Sequence, residues 1–440
     1  MPSLVLSPPK RRMFGSRTRA AEKPRAAIIA GTGLRKIVQA VVLLAIVALL
    51  ANTWLLSGLV VPAVVSGSSM APTLMGPHLR WQCSGCEREV RCDVEALPPA
   101  GGDAVCPHCG ARNDLAAGSL QAGDRLLVDR TAYSLRAPKR WETVALHSPE
   151  EDGSLCVKRI VGLPGESVEI ADGDVLVDGR RQRKPHAVQL AMALAVADAG
   201  DLDRWHSARE GAWTLTENKW QHAAGTSGRI DWLEYQHREA ATPAGKESSP
   251  ILDGSPVNQN ESRKLNPVSD VILRCTLHGA DADKAFFTIH ARGDEFRVIL
   301  PIGGGGARLS HNGTRVKGGR VEPGQHAKLA VEVVVTDGRF SIRAAGKPVL
   351  EYEFEPLPPR GDGGPRVAIG ADAAALAVSG LEVLRDVHYT PGPQGQTRYR
   401  LGPDEYFVLG DNSANSVDSR AWSDRGGVSG EMLLGPVLAW

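Results

Sequence analysis

The chain has 440 residues, room for two or three domains with cores of their own. Its formal net charge of +1 creates no global field of the kind that gathers nucleic acid or acidic substrates, so no nucleic-acid partner is expected. Seven cysteines form no even disulfide ladder, but four of them fall in two Cys-x-x-Cys pairs, a metal-like spacing.

Basic charge is local. Residues 1–36 carry Lys10, Arg11, Arg12, Arg17, Arg19, Lys23, Arg25, Arg35 and Lys36 against the single acid Glu22, without apolar periodicity. This reads as a disordered, solvated cytoplasmic tail. From Ile37 to Val61 no charge occurs. As a helix those residues span about 37 Å, enough for a hydrocarbon core of about 30 Å. Arg35 and Lys36 close the cytoplasmic end by the positive-inside rule, which puts everything after Val61 on the outer side. A cleaved secretion signal is the rival reading, but its apolar core is only about 7–15 residues long. An uncleaved single-pass anchor in a lipid bilayer is expected.

Ser66-Gly-Ser-Ser-Met-Ala-Pro-Thr-Leu74 follows. Val64-Val65 suggests a short strand and Pro72-Thr73 ends the block, leaving hydroxyls on a turn at its rim. Taken alone, such a stretch is usually a linker.

Residues 75–119 contain Cys83-Ser-Gly-Cys86 and, after nineteen intervening residues, Cys106-Pro-His-Cys109. Two such knuckles suit a zinc ribbon, four thiolates around one ion at Cys83, Cys86, Cys106 and Cys109. Two alternatives stay open: an oxidising exterior favours disulfides, and Cys-Pro-His-Cys also occurs as a redox dithiol. Cys92 is a spare.

Residues 120–185 read as strands. Gly123-Asp124 turns into Arg125–Asp129, and Leu155-Cys-Val-Lys-Arg-Ile-Val161 alternates before a Gly-Leu-Pro-Gly turn. Ser167–Ile170 and Asp174–Val177, closed by Asp178-Gly179, complete a meander. Lys158 lies within an apolar strand, where lysine is normally an edge or solvent-face residue. Arg159 must point the other way, so one of the two is expected to face inward.

Between 186 and 388 short strands are expected at Asp270–Thr276, Ala285–His290, Phe296–Leu300, Leu329–Val335, Phe340–Arg343, Val349–Phe354 and Ala377–Leu384, with Asp337-Gly338 as a hairpin turn. Gly303–Gly306 reads as a loop; with no Gly-Lys-Ser/Thr after it, it is not a phosphate cradle. Trp205, Trp213, Trp220 and Trp232 suit core packing better than a sugar platform. Residues 389–440 contain the polar run Gly410-Asp-Asn-Ser-Ala-Asn-Ser-Val-Asp-Ser-Arg420.

A serine hydroxyl needs a base within hydrogen-bond reach, and lysine can serve only where burial favours its neutral amine. The serine block, Lys158-Arg-Ile-Val-Gly-Leu-Pro-Gly165 and Gly410–Arg420, in this order behind a membrane anchor, resemble the type I signal (leader) peptidases, serine–lysine proteases of bacterial type. The resemblance implies Ser69 as nucleophile and Lys158 as general base. It also implies Ser416 aiming the lysine amine, Asp418 and Arg420 pairing to brace the site, and Asp411 shaping a turn with Gly410 and Asn412. Gly67 stands where some relatives carry a second oxyanion-donating serine. The family's preference for small residues at −1 and −3 implies shallow pockets, for which Val65, Met70, Leu74 and Cys156 are the candidates. No cofactor is needed for catalysis. The substrates implied are exported preproteins, at the bacterial inner (cytoplasmic) membrane.

Residues 186–388 resemble a concanavalin/laminin-G type β-sandwich in strand rhythm, which implies a possible glycan or protein ligand. The expected fold is mainly β: a basic tail (1–36), a transmembrane helix (37–61) and a signal-peptidase-type catalytic domain in three parts (62–74, 120–185, 389–440). A zinc ribbon (75–119) and the sandwich (186–388) are inserted into it. The rival of another class is a catalytically silent envelope-binding protein that acts through the sandwich; a third is a redox or metal-transfer protein.

Overall fold

A computed structural model describes residues 26–98, 102–150, 153–225, 228–238, 248–279, 284–322, 328–357, 366–372, 375–422 and 426–439. The basic tail lies largely outside these. The chain divides into two units, Met1–Gly58 and Leu59–Trp440.

The first unit is helical. Helix α1 runs Ala26–Leu50 and continues in wider, π-type turns over Ala51–Leu59. Gly33–Thr53, 21 residues with a mean hydropathy of 2.2, is long and apolar enough to cross a membrane. Thr53 Oγ1 donates to the Leu49 carbonyl at 2.8 Å, so the helix itself satisfies this hydroxyl. The span expected over 37–61 is displaced: the helix starts earlier, and Val60 and Val61 already belong to a strand.

The second unit is built on a seven-stranded antiparallel sheet. Its strands are β1 (Val60–Val64), β2 (Arg125–Asp129), β3 (Thr143–His147), β4 (Leu155–Gly162), β5 (Glu405–Leu409), β6 (Val428–Ser429) and β7 (Leu433–Ala439). Their order is β1-β2-β7-β3-β4-β5-β6. The cysteine-bearing segment lies between β1 and β2 in the chain, yet these strands pair directly, Val60 with Asp129 through Val64 with Arg125. The meander forms a second sheet, Arg180–Arg181, Asp174–Val177, Ser167–Ala171 and Arg398–Arg400. Its hairpin at Asp178-Gly179 has both residues at positive φ, 49° and 76°, as a primed two-residue turn requires.

β4 is covered on both sides. Cys156 and Ile160 pack with Val144, Leu146, Tyr406 and Val408, whereas Val161 packs with Trp141, Val168, Phe407 and Leu409. A strand between two apolar layers reads as a nearly continuous apolar run, with no solvent face to host a charge. The expectation that only one of Lys158 and Arg159 turns inward is therefore corrected: both are buried.

The cysteine segment holds a three-stranded sheet (Glu89–Asp93, His78–Gln82, Ser119–Gln121) and a two-stranded one (Ala104–Val105, Arg112–Asn113). Among the described residues, 194–385 form two facing sheets of eight and seven strands around one core that includes Phe287, Phe296 and Phe340. Trp205 and Trp213 are buried in that core, Trp220 packs against it, and Trp232 is half-buried. Strands Gly305–His311 and Thr314–Val321 were not expected; the first begins inside the glycine run read as a loop. Leu194–Ala197 pairs with Leu376–Arg385, so the chain enters and leaves this region on adjacent strands. Beside that junction the buried Lys184 Nζ is held by Asp337 at 2.8 Å and Asp386 at 2.7 Å.

Candidate active site

The serine block begins where β1 ends. The Val65 N–H donates to the Asp124 carbonyl at 2.9 Å, and the Asp124 carboxylate accepts from the Met75 N–H at 2.7 Å. The Gly-Asp turn therefore holds the block at both ends. Inside it, Ala71 N–H donates to Ser68 O and Leu74 N–H to Met70 O, each at 3.0 Å, winding Ser68–Leu74 into a tight coil. Ser68 is buried and gives its N–H and hydroxyl to Glu95 Oε2 at 2.9 and 3.1 Å. Ser69 is half-buried. Its carbonyl accepts the Asn412 N–H at 3.0 Å, and the Ser68 carbonyl accepts Asn412 Nδ2 at 3.1 Å. A side chain at Gly67 would start 3.4 Å from the Glu95 carboxylate.

Lys158 stands on β4 opposite Val144 of β3, with 3% of its surface exposed. Burial pushes its amine well below the ordinary lysine range; the nearby Asp418 charge works in the opposite direction, and Arg420 reinforces the drop. Asp418 is itself charge-paired. Burial alone would raise its pKa, but Arg420 overcomes this with bonds of 2.9 and 2.7 Å and the Gly410 N–H adds one at 3.0 Å, so the carboxylate stays ionised. Arg420 is anchored in turn on Thr390 and Ser413.

Gly410 brings the serine block and the polar run together. A Cβ there would lie 2.2 Å from Ser416 Oγ and 2.3 Å from the Ser69 carbonyl oxygen, so only glycine lets the chains approach. Ser416 Oγ is buried beside the Asp418 carboxylate, and the bond expected from it to Lys158 is not formed. Asp411 receives Arg159 through two bonds of 2.8 and 2.6 Å on the side of β4 away from Lys158.

The candidate pocket residues do not share one surface. Val65 and Leu74 pack with Leu126, Val128, Ala145 and Val157. Cys156, which acts on the Lys158 charge from two positions away, packs instead against the layer of Tyr133, Tyr406 and Trp422. Met70 is wholly buried. Period-two reasoning groups Cys156 with Lys158 and overlooks Val157, because only a strand covered on both sides gives both neighbours an apolar environment.

The four knuckle cysteines converge. Cys83, Cys86, Cys106 and Cys109 place their sulfurs within 4.8 Å of one another, a set that can hold one metal ion. Cys83 and Cys109 are 3.5 Å apart, Cys86 and Cys106 3.8 Å. A tetrahedron with metal–sulfur bonds of about 2.3 Å has edges of about 3.8 Å, so the set fits zinc. The Gly85 N–H points at Cys83 Sγ over 3.4 Å, and Asn113 approaches the same sulfur at 3.7 Å. Cys92 is buried outside the set. Two other groupings, His108 with Asp198 and Asp201 and Asp174 with Asp270 and Asp337, are occupied by Arg88 and by Arg292 and Lys184 respectively.

Glu95 and Asn258, both in contact with the serine block or its partner Asn412, escaped the sequence reading. Each lies in an inserted segment, and no local pattern marks either.

Residues 112–219 and 374–439 match the family described as "Signal peptidase, peptidase S26". The matched stretches include Lys158 and Ser416, and the serine block lies outside them. A signal peptidase I of Leptolyngbya laminosa is 35% identical over 69 residues, 14% of this chain and 34% of that protein. A probable signal peptidase I-2 of Synechocystis is 36% identical over 67 residues, 14% of this chain and 31% of that protein. The chain thus spans about a third of the length of the curated relatives it matches. Among solved structures, the carbohydrate-binding module CBM66 of Bacillus subtilis aligns over 41% of this chain and 94% of that one, at 11% identity and a TM-score of 0.27, too loose a superposition to bear on function. The matched stretches thus supply Lys158 and the polar run 410–420, two of the three blocks that meet at Gly410. Over those two stretches the chain is similar to the signal peptidase S26 family.

Proposed function

We propose that this protein is a membrane-anchored serine endopeptidase that removes signal peptides from exported preproteins with Ser69 as nucleophile and Lys158 as general base. The observation that carries the reading is the convergence at Gly410: the Ser69 carbonyl and Ser416 Oγ press against it, while its N–H binds the carboxylate that faces Lys158.

Lys158 would take the proton of Ser69 Oγ as that oxygen attacks the scissile carbonyl, then hand it to the leaving amine. The neutral amine this requires is supplied by burial. The Asp418–Arg420 pair keeps the carboxylate from holding Lys158 in its charged form. The Ser416 hydroxyl, which lies beside the Asp418 carboxylate, would bind the amine as it becomes charged. The Ser69 N–H is the natural first oxyanion donor; Gly67 supplies none, and Glu95 occupies the space beside it. Water then resolves the acyl-enzyme. Val65, Leu74 and Val157 form an apolar wall suited to small residues at −1 and −3.

The helix would lie in the bacterial inner membrane with its basic end in the cytoplasm and the catalytic unit outside. A structural Zn2+ would sit in the four-cysteine set and serve the fold, with no part in proton transfer. Purified wild type should cleave a preprotein after a small residue, and Ser69→Ala and Lys158→Ala should each lose the activity by at least about 1,000-fold. Cleavage by Ser69→Ala at the wild-type rate would end the assignment.

A further inference from the structure

Residues 255–259 lie in the segment between the sandwich strands, yet they are built into the serine block. The Val257 carbonyl accepts the Asp93 N–H at 3.1 Å, and the Gln259 N–H donates to the Ala96 carbonyl at 2.8 Å. The Gln259 side chain grips the Val105 main chain on both polar atoms, at 2.8 and 3.0 Å. Val257 itself is buried with Ala71 and Met75, two residues of the coil that carries Ser69. A short strap is thus fastened to the cysteine segment on one side and to the serine coil on the other.

Asn258 stands at its centre, 8% exposed, facing Asn412, which is 2% exposed. The two amides bond reciprocally, Nδ2 to Oδ1 in each direction, both at 2.9 Å. Asn412 has two side-chain N–H groups. One goes to Asn258 Oδ1 and the other to the Ser68 carbonyl, while its main-chain N–H takes the Ser69 carbonyl. A flipped Asn412 amide would set its own oxygen against the Ser68 carbonyl. Asn258 resists that flip, because its own amide is oriented by Glu261, whose Oε1 accepts Nδ2 at 3.4 Å, which leaves Oδ1 facing the Asn412 Nδ2. With Asn258 removed, Asn412 Oδ1 loses its partner, one of the two Nδ2 hydrogens is left unpaired, and the grip on two successive carbonyls of the nucleophile turn is no longer held in one orientation.

We infer that Asn258 is a positioning residue for Ser69, acting through Asn412, so that the inserted region helps to set the reactive geometry. The inference rests on the serine–lysine reading. Displacement of a nucleophile by a fraction of an ångström to one ångström costs up to about 100-fold in rate without weakening substrate binding.

The test uses the full chain in detergent and a preprotein substrate, with Ser69→Ala as control. Asn258→Ala should lower kcat by about 10- to 100-fold with KM unchanged. The rising limb of its pH profile should stay in place, since Lys158 is not moved. Asn258→Asp keeps the size but cannot donate to Asn412 Oδ1; it should show the same loss, and it decides the matter if Asn258→Ala fails to fold. A wild-type kcat in the folded variant, or a raised KM with kcat unchanged, overturns the inference while an inactive Ser69→Ala leaves the protease reading standing. An active Ser69→Ala overturns both.

Discussion

Lys158 and Arg159, consecutive on one strand, point to opposite sides of the sheet and are both buried, at 3% and 4% exposure. Arg159 meets a carboxylate, Asp411, through two short bonds; Lys158 meets an apolar wall and a carboxylate already paired with Arg420. One cation is thus held charged by a carboxylate of the run 411–420, and the other is driven toward neutrality by burial, which outweighs the opposing pull of Asp418 from that same run.

Lys158 supplies the first prediction. Its amine titrates below the ordinary lysine value because burial disfavours the charged form. A general base must be neutral, so kcat/KM should rise with pH through that lowered value and then level off. Rate measurements across the pH range check this; a rate that falls as pH rises through neutrality would contradict the base assignment.

Arg159→Met should be strongly destabilising, because it leaves the Asp411 carboxylate buried without its cation. Breaking a buried pair costs about 3–5 kcal/mol, readable as a lowered midpoint in urea unfolding. Lys184→Met should be comparably costly, since two carboxylates, Asp337 and Asp386, lose their shared partner at the junction with the sandwich.

Much of this arrangement was legible because it is local. The alternation in Leu155–Val161, the Asp178-Gly179 hairpin, the apolar run after Lys36 and the spacing of the four cysteines each point to a structure within a few residues. Burial of both Lys158 and Arg159 was not legible: whether a strand has one covered face or two depends on layers contributed by distant residues such as Tyr406 and Trp141. Thr314–Val321, with its two arginines, lysine and paired glycines, carries no apolar alternation, and most of its residues are exposed or only partly covered. Glu95 and Asn258 were invisible for a different reason. Their importance comes from where two long segments fold back onto Ser68 and Asn412, a tertiary relationship with no local signature.

The four-cysteine set should bind one Zn2+ per chain, measured by elemental analysis of purified protein. Cys83→Ser should lower that stoichiometry and the thermal midpoint together. Full stability with no metal, together with two closed disulfides, would hand the segment to the disulfide reading.

Pocket residues can be told apart by size. Val157 packs with Val65 and Leu74, whereas Cys156 packs in the other layer. Val157→Phe should therefore reduce turnover of substrates with alanine at −1 at least about tenfold, while Cys156→Phe acts less on specificity than on stability. Equal cleavage of alanine-, serine- and glycine-ended substrates by a folded Val157→Phe variant would remove that wall from the site.

The central claim is that Ser69 becomes acylated with help from Lys158. Quenching the enzyme during turnover of an activated ester, followed by peptide mass mapping, measures this directly. The account predicts a single acyl group on the peptide containing Ser69 in wild type, and none in Lys158→Met at the same pH. An acyl group on another side chain, or undiminished labelling of Ser69 in Lys158→Met, would contradict it.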